Sequence, residues 1–295
     1  MHDSNLFNIL KQNNYILPKD PDASNEIIDT MLSYLSSVDS ELRDNIAYNI
    51  FFEWLVGQDN LTTDQKRRIY NYAVNKNNLL FKINIIDSDA VFQRSFLALI
   101  IALLLENNKV HTFLTDNEIR KTMNLLIELL EKEKNTHSFI EEKGWAHCIA
   151  HTADALDELI YQRTISEIDV KKIMTAITFF YKTNPNILTG EEDERLSNIL
   201  ITALFEQKIN IEEVKNWLNS LSEAIPNHLP EIPLINIKQF TQTLLIKLTV
   251  LNYDVDFNLF PIVTRYIRKN DDYTTNKKTF KISFLQTNFK GFYSC

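Results

Sequence analysis

From Pro21 to Pro185 the chain contains no proline, and through most of that stretch apolar residues return every three or four positions. A long run without the commonest helix breaker, combined with a period near 3.6, sets the apolar residues along one side of successive helices. Glycine points the same way. There are 4 glycines in 295 residues, against a usual share of roughly 7%, which leaves little for strand turns or phosphate-cradling loops. Neither GxGxxG nor GxxxxGKS/T occurs, so a nucleotide cradle of either kind is not expected.

Capping residues predict where the helices start. Thr62-Thr-Asp-Gln65 and Thr115-Asp-Asn-Glu118 are capping boxes, and Asp39 and Ser88 are further N-cap candidates. Cap to cap, helices are predicted over 4–12, 24–36, 40–56, 64–78, 89–106, 116–133, 145–161, 168–183, 191–206, 211–223, 234–252 and 259–268. The connectors are mostly short, which makes neighbours antiparallel. The expected fold is therefore all-α: an αα-superhelix, a HEAT- or armadillo-like stack of antiparallel helix hairpins, repeating in structure because no residue motif recurs at a fixed period. Residues 1–269 are expected to form one such domain, with Pro226–Pro233 an extended connector inside it. Residues 270–295 form a basic, aromatic tail read as irregular or as a short strand, from the alternation Phe280-Lys-Ile-Ser-Phe284.

Several function classes lose weight early. Met1-His-Asp-Ser-Asn-Leu6 has neither a basic nor an apolar leader region, and the longest apolar run, Phe96 to Leu105, is about half the roughly 20 residues that span a bilayer. Secretion and membrane insertion are not expected. Cys148 and Cys295 make no disulfide framework or zinc spacing, which fits a reducing cytoplasm. The net charge of −8 disfavours nucleic acid. Residues 265–295 nevertheless carry seven Lys/Arg against two acids, a balance of +5 that leaves −13 for residues 1–264. With Tyr266, Tyr273, Phe280, Phe284, Phe289, Phe292 and Tyr293 interleaved, that tail has the ingredients for stacking on single-stranded nucleic acid, but docking on the acidic body or on an acidic partner is the simpler reading.

The densest polar chemistry falls in the predicted helix 145–161. At 100° per residue His147, His151, Asp154 and Glu158 share about 60° of arc. Histidines at i and i+4 with a carboxylate one turn on can supply a mixed N/O site for a divalent metal, the one cofactor the pattern admits. The same residues suit proton transfer, or form a satisfied network between helices. The zinc-protease pattern fails at Cys148, where a Glu would stand. Arg94, inside an apolar helix, requires a carboxylate partner, and Asp154 is the candidate. Asp39 and Arg43 are spaced to pair on a solvated helix start containing Glu41 and Asp44, and Trp145 is expected to anchor a helix start in the core. His2, His111, His137 and His228 carry no spacing signal.

The string Gly144-Trp-Ala-His-Cys-Ile-Ala-His-Thr-Ala-Asp154 resembles the GWAHAxAHxAD signature of a bacterial family described as domain of unknown function 2785. Glu41-Leu-Arg-Asp44, Val91-Phe-Gln-Arg-Ser-Phe96, Phe113-Leu114 and Asn236-Ile-Lys-Gln-Phe240 extend the likeness over most of residues 35–250. The resemblance implies a HEAT-like helical fold and brings no reaction, substrate or cofactor. It marks Arg94, Trp145, His147, His151 and Asp154 as signature positions, while Cys148 stands where the signature has alanine. The expectation is an interaction module that binds a protein or peptide through a polar cluster of these five residues at or near its concave face. A small anionic ligand fits if Arg94 walls an open pocket. The alternative is a metal-dependent or acid/base hydrolase using His147, His151 and Asp154.

Overall fold

A computed structural model describes residues 3–86, 88–223 and 231–253. Helix dominates, beginning with α1 (Asp3–Gln12) and α2 (Pro21–Tyr34). Asp20 caps α2 by accepting from Ala23 N at 2.8 Å, and Pro21 takes the first helical position, where its missing N–H costs nothing. The predicted helix 40–56 is helical throughout but irregular. It has π-type turns over Glu41–Tyr48 and Glu53–Gly57 around a short α3 (Asn49–Phe52).

Both predicted capping boxes are complete, Thr62–Gln65 opening α4 (Thr63–Ala73) and Thr115–Glu118 opening α7 (Asp116–Lys132). Asp39 accepts from Glu41 N at 2.9 Å and Ser88 from Ala90 N at 3.2 Å, so both candidate caps bond backbone at a helix start. The predicted helix 64–78 is two. Asn75 turns its side chain onto Asn77 N at 2.9 Å and starts the short α5 (Lys76–Leu79), its amide competing with the helical bond as Asn does at turns.

The long α6 (Ala90–Val110) is apolar enough to cross a membrane by length and composition, and 78% of its apolar window is buried inside the fold. Three further helices follow α7: α8 (Cys148–Ile160), α9 (Glu167–Thr183) and α10 (Glu192–Phe205). The last two described are α11 (Ile211–Glu223) and α12 (Glu231–Val250). From α6 onward, helices two apart in sequence lie side by side. In one row α6 packs on α8, α8 on α10 and α10 on α12. Ser95 meets Ala146 just before α8 begins, whereas Asn108 meets Gln162 just past its end, so α6 and α8 run parallel. Thr243–Asp193 and Lys247–Asn198 set α12 parallel to α10 in the same way. A second row forms through Arg67–Glu118 (α4 to α7), Arg120–Asp169 (α7 to α9) and Trp217–Thr178 (α11 to α9).

A two-stranded antiparallel sheet, β1 (Phe139–Ile140) and β2 (Gly144–Trp145), interrupts the helices, with Phe139 opposite Trp145. Strands of two residues are too short to register as alternation. Pro233 lies in the first turn of α12, where proline is tolerated, and is thus not part of an extended connector. Residues 224–230, the predicted helix 259–268 and the tail 270–295 with Cys295 lie outside the described residues.

Candidate functional site

The signature begins on the hairpin. Gly144 has φ +84°, a left-handed conformation, and a Cβ there would stand 3.2 Å from Arg43 Nη2, so glycine answers both backbone and space. The turn is held by Arg43, whose Nη2 donates to Lys143 O at 2.8 Å and Nη1 to Ser37 O at 2.9 Å. Its guanidinium lies over Phe92 and Phe96, 4.1 and 4.9 Å from the ring centroids. The expected Asp39–Arg43 side-chain pair is therefore replaced. Arg43 is wholly buried and its carboxylate neighbour is Asp44, at 2.7 Å.

The predicted helix start at 145 moves to Cys148, because the preceding residues belong to the hairpin. Ser138 O accepts from both Ala146 N at 2.8 Å and His147 N at 3.2 Å, and this pins His147 in a left-handed conformation (φ 46°, ψ 30°) at the N-cap of α8. Such a conformation in a residue with a side chain persists only where its surroundings over-determine it. His147 is consequently off the helical stripe that carries His151, Asp154 and Glu158. Trp145, expected in the core, is 49% exposed and stacks on the His147 ring at 4.4 Å, while Phe139, 56% exposed, meets it edge-on at 5.2 Å.

Below them the two imidazoles stand edge to face, centroids 5.7 Å apart, and His151 packs in the same manner on Phe96. His151 Nδ1 is 2.8 Å from Ser95 Oγ, which also makes a short bond to Ala146 O. A carbonyl only accepts, so the single hydroxyl proton goes to Ala146. Nδ1 must then carry the imidazole proton and donate to Ser95, leaving Nε2 as the lone-pair nitrogen. Burial, aided by His147 and Arg195, drives the His151 pKa down to about 3, so the ring is neutral. Burial also lowers His147, against the raising influence of Glu192, and its Nε2 is enclosed without a hydrogen-bond partner.

The carboxylates go elsewhere. Asp154 is not the partner of Arg94. It accepts from Arg195 Nη1 at 2.9 and 3.0 Å, and burial raises its pKa while Arg195 opposes the rise. Glu158 pairs with Lys109 at 2.7 Å. Burial and the charges of Glu158 and Asp154 lift Asp157 to about 6, although a bond from Thr202 favours its ionised form. Among the described residues no group of three or more His, Cys, Asp or Glu side chains is placed to hold a metal ion, and the candidate ligands His147, His151, Asp154 and Glu158 are not brought together as one.

Arg94 instead pairs with Glu133 through two bonds, 2.6 and 2.9 Å, and gives a third to Phe81 O at 2.8 Å. Glu133 also accepts from Lys134 N, Asn135 N and, at 3.3 Å, Cys148 Sγ. Both members of the ion pair are sealed from solvent, so Arg94 is not available as the wall of an open pocket. Burial and Glu133 push the Cys148 thiol well above its ordinary range.

Sequence reasoning missed Ser95, Glu133 and Arg195, which meet the signature across 15 to 56 residues of chain, and Glu192, which bonds Ser138 on the strand before it. It also missed Gly190, where a Cβ would stand 2.2 Å from Ser138 Cβ and 2.7 Å from His147 Nε2. That glycine lets the chain before α10 close over His147, and Glu192 fastens the contact by accepting from Ser138 Oγ at 2.5 Å and Gly190 N at 2.8 Å. Its rarity in this sequence was the available clue. Beside the hairpin opens a cavity of about 300 Å³ lined by Ser88, Asp89, Asn135, His137, Phe139 and Lys143 among others, with Lys143 and Asp89 bridged at 2.7 Å.

No curated protein and no solved structure matches this chain. The family described as "Protein of unknown function (DUF2785)" matches residues 79–246. That span is more than half of the chain and contains the hairpin, His147, His151 and the Arg94–Glu133 pair, and the chain belongs to this family.

Proposed function

We propose that this chain is a HEAT-like helical interaction module, and that it grips a protein or peptide partner with Trp145 and Phe139 on the hairpin and with the cavity beside them. The observation that carries the reading is an aromatic pair about half exposed yet packed on its neighbours, Trp145 stacked on a His147 whose backbone is bonded to Ser138. Exposed Trp and Phe ordered before binding lose little side-chain entropy on contact and are residue types that dominate binding hot spots. His147, His151 and Asp154 then act as the rigid support beneath the patch, facing solvent less than they face each other and Arg195.

The hydrolase alternative gains nothing from the geometry. A His151 with pKa about 3 is too weak a base for proton abstraction near neutral pH. Ser95 is wholly buried with its proton committed to Ala146, and Asp154 is taken by Arg195. Selection of displayed peptides on the full chain, with Trp145→Ala as the counter-target, tests the proposal. Enriched peptides that bind the parent at least tenfold more tightly than the variant are expected. Peptides that bind both equally, or no enrichment, would refute it.

A further inference from the structure

The cavity beside the hairpin is lined by two carboxylates, Asp89 and Glu141, and one ammonium, Lys143. Lys143 Nζ is spent on Asp89 at 2.7 Å, and among the described residues no ion pair takes up Glu141, so one negative charge is in surplus. The start of α6 at the cavity wall does not balance it, because its first amides are already bonded. Ser88 Oγ accepts from Ala90 N at 3.2 Å, Ser88 O from Val91 N at 3.0 Å and Asp89 O from Phe92 N at 3.1 Å. His137 gives nothing from Nδ1 either. Asn135 Oδ1, which accepts from His137 N at 3.3 Å, lies 2.9 Å from His137 Nδ1, so that nitrogen donates to it as well.

A free carboxylate among spent donors calls for a ligand that brings its own N–H groups and a positive charge. The exposed ring of Phe139, also in the lining, adds to the attraction for a cation. At about 300 Å³ the cavity is at the small end of ligand pockets, a size for one long side chain. The chain as a whole carries −8, which draws cationic partners toward it. Resting on the peptide-binding reading above, we propose that the cavity receives an arginine or lysine side chain of the partner, its cation on Glu141 beside Phe139, while an apolar neighbour in the same peptide lies on Trp145. The partner is then a basic segment with apolar residues between its charges.

Titration calorimetry of the full chain with two capped tripeptides, leucine-arginine-leucine and leucine-citrulline-leucine, isolates the charge, since citrulline keeps the length and shape of arginine and loses only its cation. The arginine peptide is expected to bind about fivefold more tightly or better, the sum of one half-exposed ion pair and one cation–ring contact. Glu141→Gln changes an exposed position, should leave the melting temperature in place and is expected to remove that preference. Trp145→Ala should weaken both peptides by a common factor. Equal binding of the two peptides that still requires Trp145 overturns the cationic assignment and leaves the aromatic grip standing. A preference for arginine that needs Glu141 but not Trp145 supports the cavity as a cation site and refutes the grip. A preference untouched by Glu141→Gln, or no binding of either peptide, overturns the proposal.

Discussion

The two flanks of α8 solve opposite problems. On one, Cys148 meets the Arg94–Glu133 pair, a set of charges sealed from water in which Glu133 takes five hydrogen bonds and neither charge lacks a partner. On the other, His151 and Asp154 meet Ser95 and Arg195, half-buried, and lead through His147 to Trp145 in solvent. A buried ion pair tolerates no loss because the remaining charge cannot be rehydrated. A presented aromatic is free to change because water can replace whatever it touched. One signature thus joins a stretch that secures the fold to a stretch that displays a surface.

The largest effect should come from the sealed flank. Glu133→Ala leaves the Arg94 guanidinium buried and uncompensated, and about 3–5 kcal/mol of stability is expected to go, read as a fall of about 5–10 °C in Tm. An unchanged Tm would break the comparison outright. Gly190→Ala forces a Cβ against Ser138 and His147, and overpacking of this kind costs about 1–3 kcal/mol. The urea midpoint measures it, and the Trp145 fluorescence environment should shift with it because His147 is displaced.

Asp157 sharpens the comparison with an effect of opposite sign. Its pKa is about 6 in the fold against an ordinary 3.8, so the native state holds its proton more firmly than the unfolded chain does. The resulting advantage is present below about pH 4 and is lost as pH rises to about 6. Asp157→Asn removes the cost of the buried charge and is expected to stabilise the protein on the order of 2 kcal/mol at pH 8, with little change at pH 4. Paired melts at the two pH values check this, and equal shifts at both would contradict it. The smallest stability effect belongs to Trp145→Ala, about 0.5–1 kcal/mol for a lost aromatic contact. A loss as large as that of Glu133→Ala would erase the difference between the flanks.

What was readable in the residues was local. Thr62 and Thr115 predict the starts of their helices to within a residue because the capping box is complete inside four positions. The apolar α6 is equally plain. The true partner of Arg94 lies 39 residues away just past the end of α7, and that of Asp154 lies 41 residues on, distances at which no periodicity speaks. The left-handed turn at His147 hid for another reason. Its cause is Ser138 O, supplied by a hairpin whose strands are two residues long, so 3.6-residue spacing counted His147 onto a helix that starts after it. The signature named the right neighbourhood, whereas the direction of each side chain depended on contacts from α6, α7 and α10.

Cys148 gives the sealed flank a clock of its own. Its thiol donates to Glu133, and burial holds it in the unreactive protonated form, so a thiol reagent can reach it only while the Arg94–Glu133 contact is open. The chain has 2 cysteines, and in a Cys295→Ser protein every labelling event reports one such opening. The pseudo-first-order rate at saturating reagent then equals the opening rate of this one flank, measured without unfolding the rest.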